Sequence, residues 1–214
     1  MLPGPTIIRA CPECDQEIKQ WTLTSGNTFG ATFWTDGRMD APMLPGQPWL
    51  VKCPSCQSLF WLYRARELGT ALFQDVETEW RKALPYETPM EADYLQYLSK
   101  VKVDIEKEKY LRVRAWWCEN DPKREKDSED KSMSDFSAEQ PGNLGRLSEL
   151  LDESKPDERL MKAELARERG LFEEATQLLQ FHCPDDFRHT VETIRSMCVR
   201  GDTGVAEIKE HSPD

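Results

Sequence analysis

Four cysteines stand in two matched units, Cys11-Pro12-Glu13-Cys14 and Cys53-Pro54-Ser55-Cys56. Two residues between the cysteines of a pair let one tight turn aim both sulfurs at a single ion, and two such pairs complete a tetrahedral S₄ set. Soft thiolates in that geometry select zinc or iron, and the spacing alone leaves both open. Zn²⁺ is the first expectation, with Cys11, Cys14, Cys53 and Cys56 as its ligands and Fe as the alternative. The proline after the first cysteine of each pair fixes the turn and leaves the amides beyond it free to point at sulfur.

Other uses of these cysteines fit less well. The start of the chain, Met1-Leu2-Pro3-Gly4-Pro5, lacks the charged and apolar stretches of a secretory leader, so disulfides are not expected. A thioredoxin-like redox role needs one C-x-x-C at a helix start inside a βαβ pattern, and none is present. The paired C-P-x-C units resemble those of the zinc-ribbon and rubredoxin-like families, over roughly the first third of the chain. The departure is that the glycine common after each such turn is Asp15 in the first and Gln57 in the second.

The elements that must position the sulfurs are β in character. Residues 15–52, 38 in all, separate the pairs. Trp21-Thr22-Leu23-Thr24 and Thr28 through Trp34 are rich in aromatic and β-branched residues, and Thr35-Asp36-Gly37-Arg38 carries an Asp-Gly hairpin signal. Trp49-Leu50-Val51-Lys52 leads into the second pair and Leu59-Phe60-Trp61-Leu62 leaves it. These stretches predict a three- or four-stranded antiparallel sheet clamped by the metal, a unit too small to be comfortable without such a staple. Trp21, Phe33, Trp34 and Trp61 read as the core of that sheet.

Beyond Leu62 the apolar period lengthens to that of helices. Arg64 through Leu68, ending at Gly69, reads as one or two helical turns with a glycine C-cap. Residues 70–86 give no clear signal. Thr88-Pro89-Met90-Glu91 has the form of a capping box for a helix carrying Tyr94, Leu95 and Leu98. A second helix is predicted from about Asp104 through Trp117, with Trp116 and Trp117 knitting it to a neighbour. Residues 121–142, dominated by Lys, Asp, Glu and Ser, read as a solvated linker.

A helix is predicted near Asn143 to Glu153. Glu164 through Ala175 then resembles the helix–turn–helix centre of a tetratricopeptide repeat, with Gly170 ending one helix and Phe172 and Ala175 opening the next. An echo follows about 31 residues later, where Gly201 matches Gly170 and Ala206 matches Ala175, so a second helix is expected at Val205-Ala206-Glu207-Ile208. The resemblance implies stacked helix pairs and a surface for a protein partner.

The expected organisation is α+β: a small antiparallel β zinc-ribbon module over 1–69, a helical segment over 70–120, a charged linker over 121–142 and an all-helical, repeat-like region over 143–214. The net charge is −11, and residues 1–66 hold six Lys/Arg against five Asp/Glu, so the acidity lies in the remainder. The basic clusters that grip phosphate are missing, which argues against nucleic acid as a partner. No apolar run is long enough for a bilayer, and the cytoplasm is the expected compartment.

Cys118, Cys183 and Cys198, with His182, His189 and His211, match no ligand pattern, and Glu173 and Glu174 read as a solvated helix face. No nucleophile elbow, P-loop or dinucleotide fingerprint appears, so no catalytic residues are expected. The leading reading is a non-enzymatic adaptor with a structural zinc and helices for an unknown protein partner. A rubredoxin-like iron electron carrier and a nucleic-acid-binding regulator are the alternatives.

Overall fold

A computed structural model describes residues 1–72, 76–125 and 142–209. The first part of the chain holds strands β1 (Leu2–Pro3), β2 (Thr6–Ala10), β3 (Glu17–Gln20), β4 (Leu23–Ser25), β5 (Thr32–Phe33), β6 (Met39–Asp40), β7 (Leu50–Lys52), β8 (Leu59–Trp61) and β9 (Glu67–Ala71). It continues through helix α1 (Val76–Glu79), strand β10 (Leu84–Pro85) and helices α2 (Glu91–Lys100) and α3 (Ile105–Glu125). After residues outside the description come α4 (Asn143–Leu150), α5 (Pro156–Glu168), α6 (Phe172–Leu178) and α7 (Arg188–Arg200). Apart from the short α1, which precedes β10, the strands come before the helices, the pattern of an α+β chain.

Two compact units form: one from Met1–Ala31 and Asp40–Asp93, the other from Thr32–Met39 and Tyr94–Asp214. The first thus continues past residue 69. Its main sheet has the order β10-β3-β2-β9. β2 pairs antiparallel with β3 and β9, whereas β10 runs parallel to β3. This four-stranded sheet is therefore mixed, and it is not built from the aromatic stretches that predicted it. Thr6–Ala10 and Glu17–Gln20 supply its centre because each places apolar side chains inward, Ile8 and Ala10 on one strand and Ile18 on the next. β7 and β8 form a separate antiparallel hairpin, with Val51 opposite Phe60. Ile18, Val51, Phe60, Leu62 and Ala65 pack with Cys11 and Cys53 into one core.

Several expectations fail here for local reasons. Residues 64–69 are not a helix capped by Gly69; a single 3₁₀ turn, Leu62–Arg64, precedes β9. Gly69 lies within β9 because the Trp80 indole packs against it, and an added Cβ would meet the ring at 2.9 Å. Of the four aromatics assigned to the sheet core, only Trp61 is buried. Phe33 is 45% exposed, and Trp34 is covered by the Arg124 guanidinium at 5.4 Å. Helix α2 starts at Glu91, not after Thr88: the Met90 amide donates to the Asp93 carboxylate at 3.0 Å, so Asp93 closes the first turn. Lys52 donates to the same carboxylate at 3.1 Å.

In the second unit, Asp104 caps α3 by accepting the Lys107 amide at 2.9 Å. The helix runs to Glu125, so residues 121–125 are not linker; 126–141 lie outside the described residues. Trp116 is fully buried among Leu144, Leu147, Leu151 and Leu165, knitting α3 to α4 and α5. A second cluster joins Leu160, Ala163 and Ala166 of α5 to Ala175 of α6 and Val191 and Ile194 of α7.

The two glycines of the internal echo share one geometry. Gly170 has φ +76° and Gly201 φ +65°. Leu171 N–H donates to Ala166 O at 2.9 Å, and Asp202 N–H to Met197 O at 3.0 Å, so both helices end in the same left-handed cap. The likeness stops there. No helix forms at 205–208, where Glu207 bridges antiparallel to Trp34. The cause is Asp202-Thr203-Gly204 in place of an aromatic: the Asp202 side chain accepts the Gly204 amide at 2.9 Å and turns the chain out of the helical path.

Candidate metal centre

Each cysteine pair sits at the tip of a hairpin. β2 and β3 pair through Ala10 and Glu17, and the loop between them carries Cys11 and Cys14; β7 and β8 pair through Lys52 and Leu59, and their loop carries Cys53 and Cys56. The loops are copies of one another. Cys11 N–H donates to Gln16 O and Asp15 N–H to Cys11 O, at 2.9 and 3.0 Å. Cys53 N–H donates to Ser58 O and Gln57 N–H to Cys53 O, both at 2.9 Å. Closing so tight a loop forces one residue into the left-handed region. Asp15 (φ 56°) and Gln57 (φ 61°) are the non-glycine residues that adopt it among the described residues, at the positions where glycine was missing from the sequence. Gln57 Nε2 helps hold its turn by donating to Cys53 O at 3.2 Å.

The four sulfurs converge, every pair lying within 4.8 Å. Cys11 Sγ is 3.8 Å from Cys56 Sγ and Cys14 Sγ is 3.7 Å from Cys53 Sγ. A tetrahedron with metal–sulfur bonds of about 2.3 Å has edges of about 3.8 Å. The sulfurs are too far apart for disulfides, and all four cysteines are free. The donor set therefore fits a tetrahedral thiophilic ion. Cys11 and Cys53 are fully buried in the module's core, whereas Cys14 and Cys56 are exposed.

The surroundings are built for negative sulfur. The Gln16 amide faces the Cys14 thiolate, and the amides of Cys56 and Ser55 face Cys53. Ser58 was not singled out by the sequence, yet its hydroxyl lies 3.0 Å from Cys56 Sγ and 3.5 Å from Cys11 Sγ. Its position two residues after the last cysteine was the available signal. Ser58 hydroxyl and amide hold the Cys56 thiol down to about 6. The Gln16 amide acts in the same direction on Cys14, but the neighbouring Cys56 thiol, burial and the other two sulfurs push Cys14 up to about 12. Burial pushes Cys53 up as well. Four sulfurs this close cannot all lose their protons without a cation among them, so ion uptake must release protons. Ser55 Oγ also donates to Gln16 Oε1 at 2.9 Å, tying one loop to the other directly.

The remaining candidates do not assemble. His182, Cys183, His189 and Cys198 form no metal-holding group among the described residues. Glu173 and Glu174 are solvent-facing, as expected. A feature that sequence reasoning missed is a buried polar network in the second unit. Asp36, Asn120, Glu164, Arg167 and Glu168 are all buried. Asn120 Nδ2 donates to Asp36 Oδ2 at 3.0 Å and to Glu168 Oε1 at 3.1 Å, while Trp116 Nε1 donates to Glu168 Oε2 at 2.8 Å. Arg167 Nε donates to Glu164 at 2.8 Å, and its other nitrogens reach the carbonyls of Asp202 and Gly204.

No helix among the described residues is long and apolar enough to cross a membrane. Comparison with protein-family models, with curated proteins and with solved structures finds no match for the chain. The zinc-ribbon and tetratricopeptide resemblances therefore rest on the residues themselves.

Proposed function

We propose that this protein is a non-enzymatic adaptor of the cytoplasm. One structural Zn²⁺, held by Cys11, Cys14, Cys53 and Cys56, stiffens the β-module, and the helical unit supplies contacts to a protein partner. One observation carries the reading: four sulfurs stand at tetrahedral spacing on duplicated hairpin tips, two of them inside the module's core. A closed set of four protein ligands leaves no open position for substrate, which favours a structural role for the ion. A reducing compartment suits free thiolates.

Nucleic acid is the less favoured partner because the sequence lacks basic clusters and three of the module's cations are paired with its own carboxylates. Arg66 pairs with Asp15 at 3.1 Å, Lys52 with Asp93 at 3.1 Å and Arg9 with Glu67 at 3.8 Å. The second reading, an iron electron carrier, draws on the exposure of Cys14 and Cys56, which leaves one edge of the centre accessible to a redox partner.

Metal analysis of the purified chain, followed by chelation, tests the proposal. One zinc per chain is expected. Stripping it should lower the module's urea midpoint and reduce near-UV circular dichroism from Trp61, which pairs with Leu50 in the second hairpin, while the far-UV helix signal persists. A colourless protein with zinc removes the iron reading, and a red one with visible charge-transfer bands establishes it. A chain that binds no ion, or loses it without spectral change, contradicts the proposal.

A further inference from the structure

We infer that occupancy of the metal centre is read by the helical unit through the loop Thr32–Met39. The inference rests on the reading that the four cysteines hold an ion. Its physical basis is the path of the chain. Residues 15–52 leave the first cysteine pair and return to the second, and within that excursion Thr32–Met39 belongs to the helical unit. The chain passes between the units at 31/32, at 39/40 and again at 93/94. An ion bound by both pairs closes the excursion into a loop, and a closed loop has less conformational freedom left to lose when its middle docks.

That middle is firmly held. Asp36 is fully buried; Arg124 pairs with its carboxylate, Asn120 donates to it, and Trp117 Nε1 donates to its carbonyl at 3.1 Å. The loop in turn anchors the C-terminal strap. Thr35 N–H donates to Ala206 O at 2.9 Å, Ile208 N–H to Phe33 O at 2.8 Å and Ala206 N–H to Thr35 Oγ1 at 3.1 Å. Loop and strap therefore dock together, with Arg167 gripping the strap upstream at Asp202 and Gly204. Losing the ion loosens the excursion, and loop and strap become the parts of the helical unit whose docking weakens. Linkage makes the effect reciprocal: whatever weakens loop docking weakens ion binding by the same factor.

Hydrogen exchange on the full chain, zinc-loaded and after EDTA, tests this, with metal content measured on the same samples. The amides of Thr35 and Ile208 should exchange about tenfold faster without zinc, near the low end of measured couplings between sites. The Leu171 amide, bonded to Ala166 O in the cap of α5, should be unchanged. In a zinc competition assay, Asp36→Ala should weaken affinity about tenfold. Thr35→Ala, which removes only the Ala206 acceptor, gives a smaller loss of the same sign should Asp36→Ala fail to fold. Unchanged Thr35 and Ile208 amides after verified zinc loss overturn the inference while leaving the metal centre standing. So does equal acceleration at Leu171, which would mean that the whole unit opens. A chain that takes up no zinc removes the metal reading and this inference with it.

Discussion

Serine substitution of the four cysteines should divide them into two classes. Each replacement removes one thiolate from a set whose total zinc binding is on the order of 10–16 kcal/mol in isolated zinc modules. An even share is about 3 kcal/mol per ligand, or a loss of roughly a hundredfold or more in affinity. All four variants should show it in competition against a chromogenic chelator. The classes separate once the ion is gone. Cys14 and Cys56 are exposed, so Cys14→Ser and Cys56→Ser should leave apo-protein stability within about 0.5 kcal/mol of wild type. Cys11 and Cys53 are fully buried among Ile18, Val51 and Phe60, and a serine hydroxyl there costs about 1–3 kcal/mol of desolvation. In excess EDTA, the urea midpoint of the β-module should therefore fall for Cys11→Ser and Cys53→Ser alone. Equal apo midpoints for all four variants, or wild-type zinc affinity for any one of them, would refute the assignment of inner and outer ligands.

The buried network of the helical unit supports two more predictions. Arg167→Met leaves Glu164 buried without its counter-ion and frees the Asp202 and Gly204 carbonyls, a loss of about 3–5 kcal/mol; Glu164→Leu combined with Arg167→Met should recover most of it in urea titrations. Glu168 is held at about 8, chiefly by burial and then by the adjacent Glu164 carboxylate. The folded state therefore holds a proton that the unfolded state gives up above about 4.5. Stability should fall as pH rises from about 4.5 to about 8, by at most about 1.4 kcal/mol per unit from this group. Glu168→Gln should flatten that slope, and an unaltered profile would exclude Glu168 as its source.

The cysteine centre was legible because its information is local: two spacings and two prolines define two turns. Even the missing glycines marked real positions, since Asp15 and Gln57 occupy the left-handed backbone that glycine would have relaxed. What failed depends on partners distant in sequence. Glu17–Gln20 is mostly polar and reads as a strand only once Thr6–Ala10 lies beside it. Gly69 looks like a helix stop until Trp80 is seen packed on it. Asp36 reads as an ordinary turn residue, and nothing near it signals Asn120 and Arg124, more than eighty positions away. The glycine caps at Gly170 and Gly201 were both legible as helix ends. The extended path after Gly201 was not, because it is set by pairing with Thr32–Met39 as well as by its own residues.

X-ray absorption at the metal edge of the purified protein reads the ligand shell of the cysteine centre itself. A zinc edge with four sulfur neighbours at about 2.3 Å, and no oxygen or nitrogen in the first coordination sphere, is the expected result. A shell containing light-atom ligands at about 2.0 Å, or no bound metal to measure, would contradict it.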